Sequence, residues 1–188
     1  MRPQILLVAL LAASPAATAA DAAARDLVDV HVVLDAGAQS GQASASLRIH
    51  ASREAVWAVL TSCKDARELL PGLVDCEVLK TAPDASWQLI RQVVDYSWLV
   101  PKVSYVIRAT YDYPARVSIE RVSGDLRTLR SSWYLQADGE YTAVRYTLEL
   151  TPGFWVPHWM MRFALKHDLP KMLRALRTRA ESALVPAS

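Results

Sequence analysis

The 188-residue chain is short of the residues that usually signal covalent chemistry. It has two cysteines, Cys63 and Cys76, and no histidine or carboxylate pair stands at metal-ligand spacing beside either, so no zinc site is expected. Its six glycines are scattered singly, which excludes a phosphate-cradling loop. The four histidines, His31, His50, His158 and His167, fall in no G-x-S-x-G, H-E-x-x-H or Cys–His arrangement. His158 lies in an aromatic stretch and could act as a general base, but a surface or cap role suits it better. An excess of one charge is also lacking. Without Arg2 the 21 basic residues become 20, against 19 acidic ones, and nucleic-acid binding would call for a clear basic surplus. Beyond the N-terminus no stretch is apolar for long enough to cross a membrane. Phenylalanine is scarce, two residues against six Trp and seven Tyr, a balance that suits apolar walls needing a hydrogen bond at one tip.

What is present begins with a targeting signal. Met1-Arg2 supplies a positive charge, Ile5 to Ala13 is an apolar run too short to span a bilayer, and Ala17-Thr18-Ala19 fits a signal-peptidase site. Residues 1–20 therefore read as a cleaved signal peptide, with an uncleaved anchor as the alternative, and the mature chain is expected to be periplasmic or secreted. Its remaining length, roughly 168 residues, suits one domain with a real core. In an oxidising compartment Cys63 and Cys76 could pair; two buried free thiols are the other reading.

Residues 21–41 form an N-terminal arm or an extra strand, in which Val28, Val30, Val32 and Leu34 alternate with Asp29, His31 and Val33. A second alternating run, Ala43, Ala45, Leu47 and Ile49, opens the main domain, 42–184. Ser52 is a good N-cap for a helix carrying Val56, Val59 and Leu60, and a second short helix over Asp65 to Leu70 ends at Pro71-Gly72. Period-two patterns then predict six strands: Val74–Lys80, Trp87–Tyr96, Val103–Tyr113, Arg116–Val122, Thr128–Ala137 and Thr142–Leu150. One-sided alternation implies an antiparallel sheet with one wet and one packed face. The packing partner is a C-terminal helix whose stripe runs Leu165, Leu169, Met172, Leu173, Leu176 and Ala180, with a kink or fresh start expected at Pro170.

The segment "IHASREAVWAVLTSCKDARELLPGLVDCEVL" (Ile49 to Leu79) resembles the opening of START-like SRPBCC proteins, and within them the bacterial polyketide cyclase/dehydrase and coenzyme Q-binding group. "SGDLRTLRSSWYLQADGEYTAVRYTLELTPG" (Ser123 to Gly153) is similar to that group's later strands. The chain departs from the group's pattern at Cys63, where an aromatic is common, and at Ser131, where a glycine is common. The resemblance implies an α+β helix-grip fold: a curved antiparallel sheet wrapped round a long C-terminal helix, with two short helices after the first strand. It also implies a deep cavity for lipids, isoprenoids or polycyclic aromatics. Carriers, sensors and cyclases share this scaffold, so function must be argued from the site.

Strand parity nominates the wall of that cavity. Tyr105, Ile107, Tyr111, Trp133, Tyr146 and Leu148 share the packed face, and Leu169 and Leu173 face them from the helix. Arg121 shares the parity of Val117 and Ile119 and needs a partner or an escape to the rim. Arg91 and Asp95, on the parity of Leu89 and Val93, could form an in-sheet ion pair. Trp159 belongs to the aromatic stretch Phe154–Phe163 at the entry to the last helix, readable as a gate, a membrane-touching rim or a packed cap. The expected partner is an apolar small molecule, with transient membrane contact, no nucleic acid and no cofactor, the protein acting as a monomer. A cyclase/dehydratase using the same cavity and a ligand-free interaction module are the alternatives.

Overall fold

The computed structural model describes residues 28–34, 40–96 and 101–183; the leader and parts of the N-terminal arm lie outside these. Eight strands, β1 (Asp29–Leu34), β2 (Gly41–Ile49), β3 (Leu73–Thr81), β4 (Trp87–Val94), β5 (Val103–Asp112), β6 (Arg116–Gly124), β7 (Leu126–Asp138) and β8 (Tyr141–Pro152), form one sheet. Its order is β1-β2-β8-β7-β6-β5-β4-β3, and every neighbouring pair is antiparallel. The extra strand is thus a hairpin partner: β1 pairs with β2 from Asp29↔Ser46 to Leu34↔Gly41. Alternation decides its orientation, because Val30, Val32 and Leu34 turn toward the core while Asp29, His31 and Val33 stay exposed.

Two short helices follow β2, α1 (Arg53–Leu60) and α2 (Cys63–Leu69). Each starts where a serine hydroxyl replaces a missing intrahelical acceptor: Ser52 accepts from the Ala55 amide and Ser62 from the Asp65 amide, both at 3.2 Å. After β8 come α3 (His158–Phe163), a π-helical turn at Ala164–Asp168, and α4 (Leu169–Ser182). Pro170 does not break this helix. It has no N–H for the carbonyl four residues back, and the wider turn just before it accommodates that missing bond with the backbone still right-handed.

The core lies between the concave sheet face and the C-terminal helix. Leu165, Leu169, Met172, Leu173, Leu176 and Ala180 are buried against Leu47, Ile49, Leu135, Val144 and Tyr146. Polar clamps hold the ends. Thr142, fully buried, donates to the Ala51 carbonyl at 2.7 Å, and the His50 amide donates to Glu181 at 2.9 Å, tying the entry of α1 to the last turn of α4. The β6–β7 turn requires glycine at one point. Gly124 has φ +104°, and a Cβ there would sit 2.4 Å from the Ser104 oxygen and the Tyr105 Cα.

The outer sheet face is wet and ionic. Arg91 lies there, 2.6 Å from Glu77 and 3.5 Å from Asp75, while Asp95 pairs with Lys102 at 3.4 Å. The expected Arg91–Asp95 pair on the packed face is therefore corrected. In β4 it is Ile90 and Gln92 that are buried, and irregular register along β3 leaves Leu89 and Val93 half-buried on the other side.

Candidate functional site

Between the sheet and the helices lies a cavity of about 130 Å³. The sheet supplies its floor. Tyr105 and Ile107 come from β5, Trp133 from β7 and Tyr146 from β8, as their alternation implies, together with Ile119, Leu129, Ser131 and Gln92. The helices supply its roof: Leu60 from α1, Ala66 and Leu69 from α2 with Leu70 after it, and Met172 and Leu176 from α4. None of these side chains carries a charge.

The polar groups gather on the sheet side. Gln92 and Tyr105 face each other across β4 and β5, and Trp133 and Tyr146 across β7 and β8 with ring centroids 4.1 Å apart. Ser131 lies on the same wall as Tyr146. Burial pushes the Tyr105 phenol up to about 12. It pushes Tyr146 up too, against the nearby Ser131 hydroxyl, which draws it down. Both remain neutral phenols at any physiological pH.

Six of the ten nominated binding residues stand outside the cavity. Leu169 and Leu173 lie in the sealed core, because the helix turns Met172 and Leu176 toward the space instead. Tyr111 leans on Trp57, with centroids 5.8 Å apart, and donates to Gln88 at 2.8 Å. Leu148 packs half-buried at the β2 side of the sheet, opposite Ala43 and Ser131. Arg121 does share the inner parity, opposite Ile107, but it sits near the strand end and donates to the Gly124 carbonyl at 2.9 Å. Trp159 is 61% exposed, on a surface pocket of about 350 Å³ shared with Pro71, Gly72, Tyr96, Phe163 and Asp168. The Tyr96 hydroxyl donates to Asp168 in that pocket.

Two ties hold the roof. A disulfide joins Cys63, at the start of α2, to Cys76 on β3, with Cα atoms 5.5 Å apart. Arg179 of α4 pairs with Asp65 and, at 2.6 Å, with Glu68 of α2. Burial acts to raise the Asp65 carboxyl, but hydrogen bonds from Ser62 and Arg179 and the nearby positive charges outweigh it and hold it below 3.8. Because the folded-state value is depressed, its stabilisation is present above the unfolded value and lost as pH falls through the folded one. Asp65→Asn is therefore expected to flatten the decline in denaturation midpoint between about pH 5 and about pH 2. Parallel profiles for the two proteins would show that this pairing adds nothing.

The family described as polyketide cyclase / dehydrase and lipid transport matches residues 49–177. The chain belongs to this family. Among solved structures, it is similar to a STAR-related lipid transfer protein from Xanthomonas axonopodis, at 21% identity and a TM-score of 0.69 over 81% of this chain and 93% of that one. The Zhui aromatase/cyclase from a Streptomyces species is 17% identical, with a TM-score of 0.65 over 85% and 99% of the two chains. A START superfamily protein from Mycobacterium smegmatis is 15% identical, with a TM-score of 0.63 over 76% and 98%. The shared architecture is the START-like helix-grip fold. Comparison with curated proteins gave no match.

Proposed function

We propose that this family member binds an apolar small molecule, such as a lipid, isoprenoid or polycyclic aromatic, between its sheet and C-terminal helix, and carries it as an exported monomer. The observation that carries the reading is the uncharged cavity, whose roof is entirely aliphatic or thioether and whose floor is largely aromatic and aliphatic. The lipid-transfer neighbour and the family description support it. The Cys63–Cys76 disulfide favours an oxidising compartment, in keeping with the expected leader. At about 130 Å³ the cavity is below the roughly 300 Å³ that a drug-sized ligand fills. A whole lipid enters only as α1, α2 and α4 move away from the sheet.

The aromatase/cyclase neighbour supports a second reading, catalysis in the same space. Proton transfer there would fall to Tyr105 and Tyr146, both held as neutral phenols, with no carboxylate, histidine or amine among the described lining residues. Carriage is the better-supported function. Native mass spectrometry of the mature protein, with solvent extraction of what co-purifies, tests it. A near-stoichiometric apolar molecule is expected; an empty protein that takes up no lipophilic probe would overturn it.

Transient membrane contact belongs to the same proposal. Trp155, Trp159 and Phe163 are 73%, 61% and 50% exposed, with Arg162 and Lys166 exposed beside them. Pro71, on the surface pocket next to Trp159, directly follows the cavity-lining Leu70. Aromatics flanked by basic residues suit the interface of an anionic bilayer. The triple variant Trp155→Ser, Trp159→Ser, Phe163→Ser is expected to lose co-flotation with anionic vesicles while keeping its circular dichroism. Undiminished flotation would exclude this rim as the contact.

A further inference from the structure

One cationic donor at the edge of the cavity lacks a partner. Arg121 stands on the inner face of β6, directly opposite the cavity-lining Ile107 and two residues beyond the lining Ile119. The β6–β7 ladder, in register at Glu120↔Arg130, brings the lining Leu129 to its other flank. The residue as a whole is half-buried, and its Nη2 donates to the Gly124 carbonyl at 2.9 Å. Its Nε is fully buried and, among the described residues, hydrogen-bonded to nothing.

The strand is shaped to hold the group there. Val106 pairs with Ser123 and Ile107 with Arg121, so Val122 is an extra residue, a bulge of the kind that re-aims a neighbouring side chain. Gly124 follows at φ +104°, a conformation that favours glycine, and turns its carbonyl to the guanidinium.

The protein supplies no counter-ion. Glu120 lies on the outer face, opposite Arg108 and Arg130, and Asp125 accepts the Ser104 amide at 2.8 Å. Among the described residues no carboxylate pairs with Arg121. A guanidinium cannot shed its proton to escape, and a buried charged donor left without an acceptor is costly. A carboxylate from outside would supply both the acceptor and the opposite charge, in the pairing that arginine makes best. The charges also match in number. A phosphate monoester carries nearly two negative charges, and no described lining residue adds a second cation.

We infer that Arg121 forms an anion subsite at the β5–β6–β7 edge of the cavity, and that the ligand is an apolar acid. Its carboxylate takes the Arg121 Nε–H, and its hydrocarbon part lies between the sheet and α4. This rests on the carrier reading and specifies its ligand class.

Four ring-matched probes, 2-naphthoate, 2-naphthol, naphthalene and 2-naphthyl phosphate, titrated at neutral pH and followed by tryptophan fluorescence and calorimetry, test it. Naphthoate is expected to bind about tenfold tighter than naphthol or naphthalene, the equivalent of one charge-assisted hydrogen bond, and tighter than the phosphate. Arg121→Met is expected to lower naphthoate affinity about ten- to hundredfold and to leave naphthalene binding unchanged, while Arg121→Lys, which keeps the charge, retains part of the preference. An arginine that only braces the Gly124 turn would give a Met variant weakened toward both probes alike, and that result would overturn the inference. Naphthoate binding no tighter than naphthol would also overturn it and leave the carrier reading standing, because the neutral probes report that reading separately. A preference for the phosphate would exclude the carboxylate. If none of the four binds, both readings fall together.

Discussion

Trp133→Ala is expected to lower the stability of the protein by about 3–5 kcal/mol, the range for removing a buried indole that the surroundings cannot refill. The ring is 5% exposed, packs 4.1 Å from Tyr146 and forms part of the cavity floor. It is wedged between the rigid β6 and β8 ladders, opposite Val117 and Tyr146, so the strands cannot collapse into the gap. Binding should change in the other direction. An enlarged cavity admits bulkier apolar molecules than the native one, and occupancy should return part of the lost stability by mass action. Urea denaturation with and without a polycyclic hydrocarbon measures both effects. A loss below about 1 kcal/mol would mean that the ring is not packed as described.

The second large effect concerns the roof. Replacing Cys63 and Cys76 together by alanine is expected to cost about 3 kcal/mol, from the freedom regained by the short loop they close in the unfolded chain. The disulfide also anchors α2, which contributes Ala66 and Leu69 to the cavity, against β3. Without it, α2 keeps its ion pairs to Arg179 but loses its covalent tie to the sheet. Ligand exchange should therefore accelerate as well. A reductant should lower the denaturation midpoint of the native protein and leave that of the double variant unmoved. If reductant shifts both equally, its action lies elsewhere than in this bond.

Much of the architecture was legible because one sheet face is wet and the other packed. In β5, β7 and β8 that asymmetry writes a period-two pattern strong enough to place Tyr105, Trp133 and Tyr146 on the inner wall. In β4 it fails. Leu89 and Val93 are half-buried on one side and Ile90 and Gln92 fully buried on the other, so Gln92 left no signal of its inward position. The helix stripe was equally readable as a stripe, yet it contains residues that seal the core and residues that face the cavity. Leu173 and Met172 are adjacent in sequence, and only the helix's rotation about its own axis assigns one to the core and the other to the space. Ser131 stood out as a departure from the family's pattern. That it lies on the cavity wall beside Tyr146 depends on the β7–β8 register, which no single strand reveals.

The π-helical turn at Ala164–Asp168 does more than accommodate Pro170. Buried residues enter the helix at intervals of four, Met161, Leu165 and Leu169, and Trp159, Phe163 and His167 follow the same interval on the exposed side. In an unbroken α-helix each such step would slip about 40° round the axis. Two steps would carry the aromatic row toward the sheet and the apolar row toward water. One wider turn takes up part of that slippage, as a leap day realigns a calendar with the seasons. Phe163 and His167 thus remain stacked, with centroids 4.6 Å apart, while Leu165 and Leu169 stay beneath them in the core. Deleting a single residue from this turn would return the segment to an ordinary α-helix, in which Met161, Leu165, Leu169 and Leu176 recur at three- and four-residue intervals along one buried face.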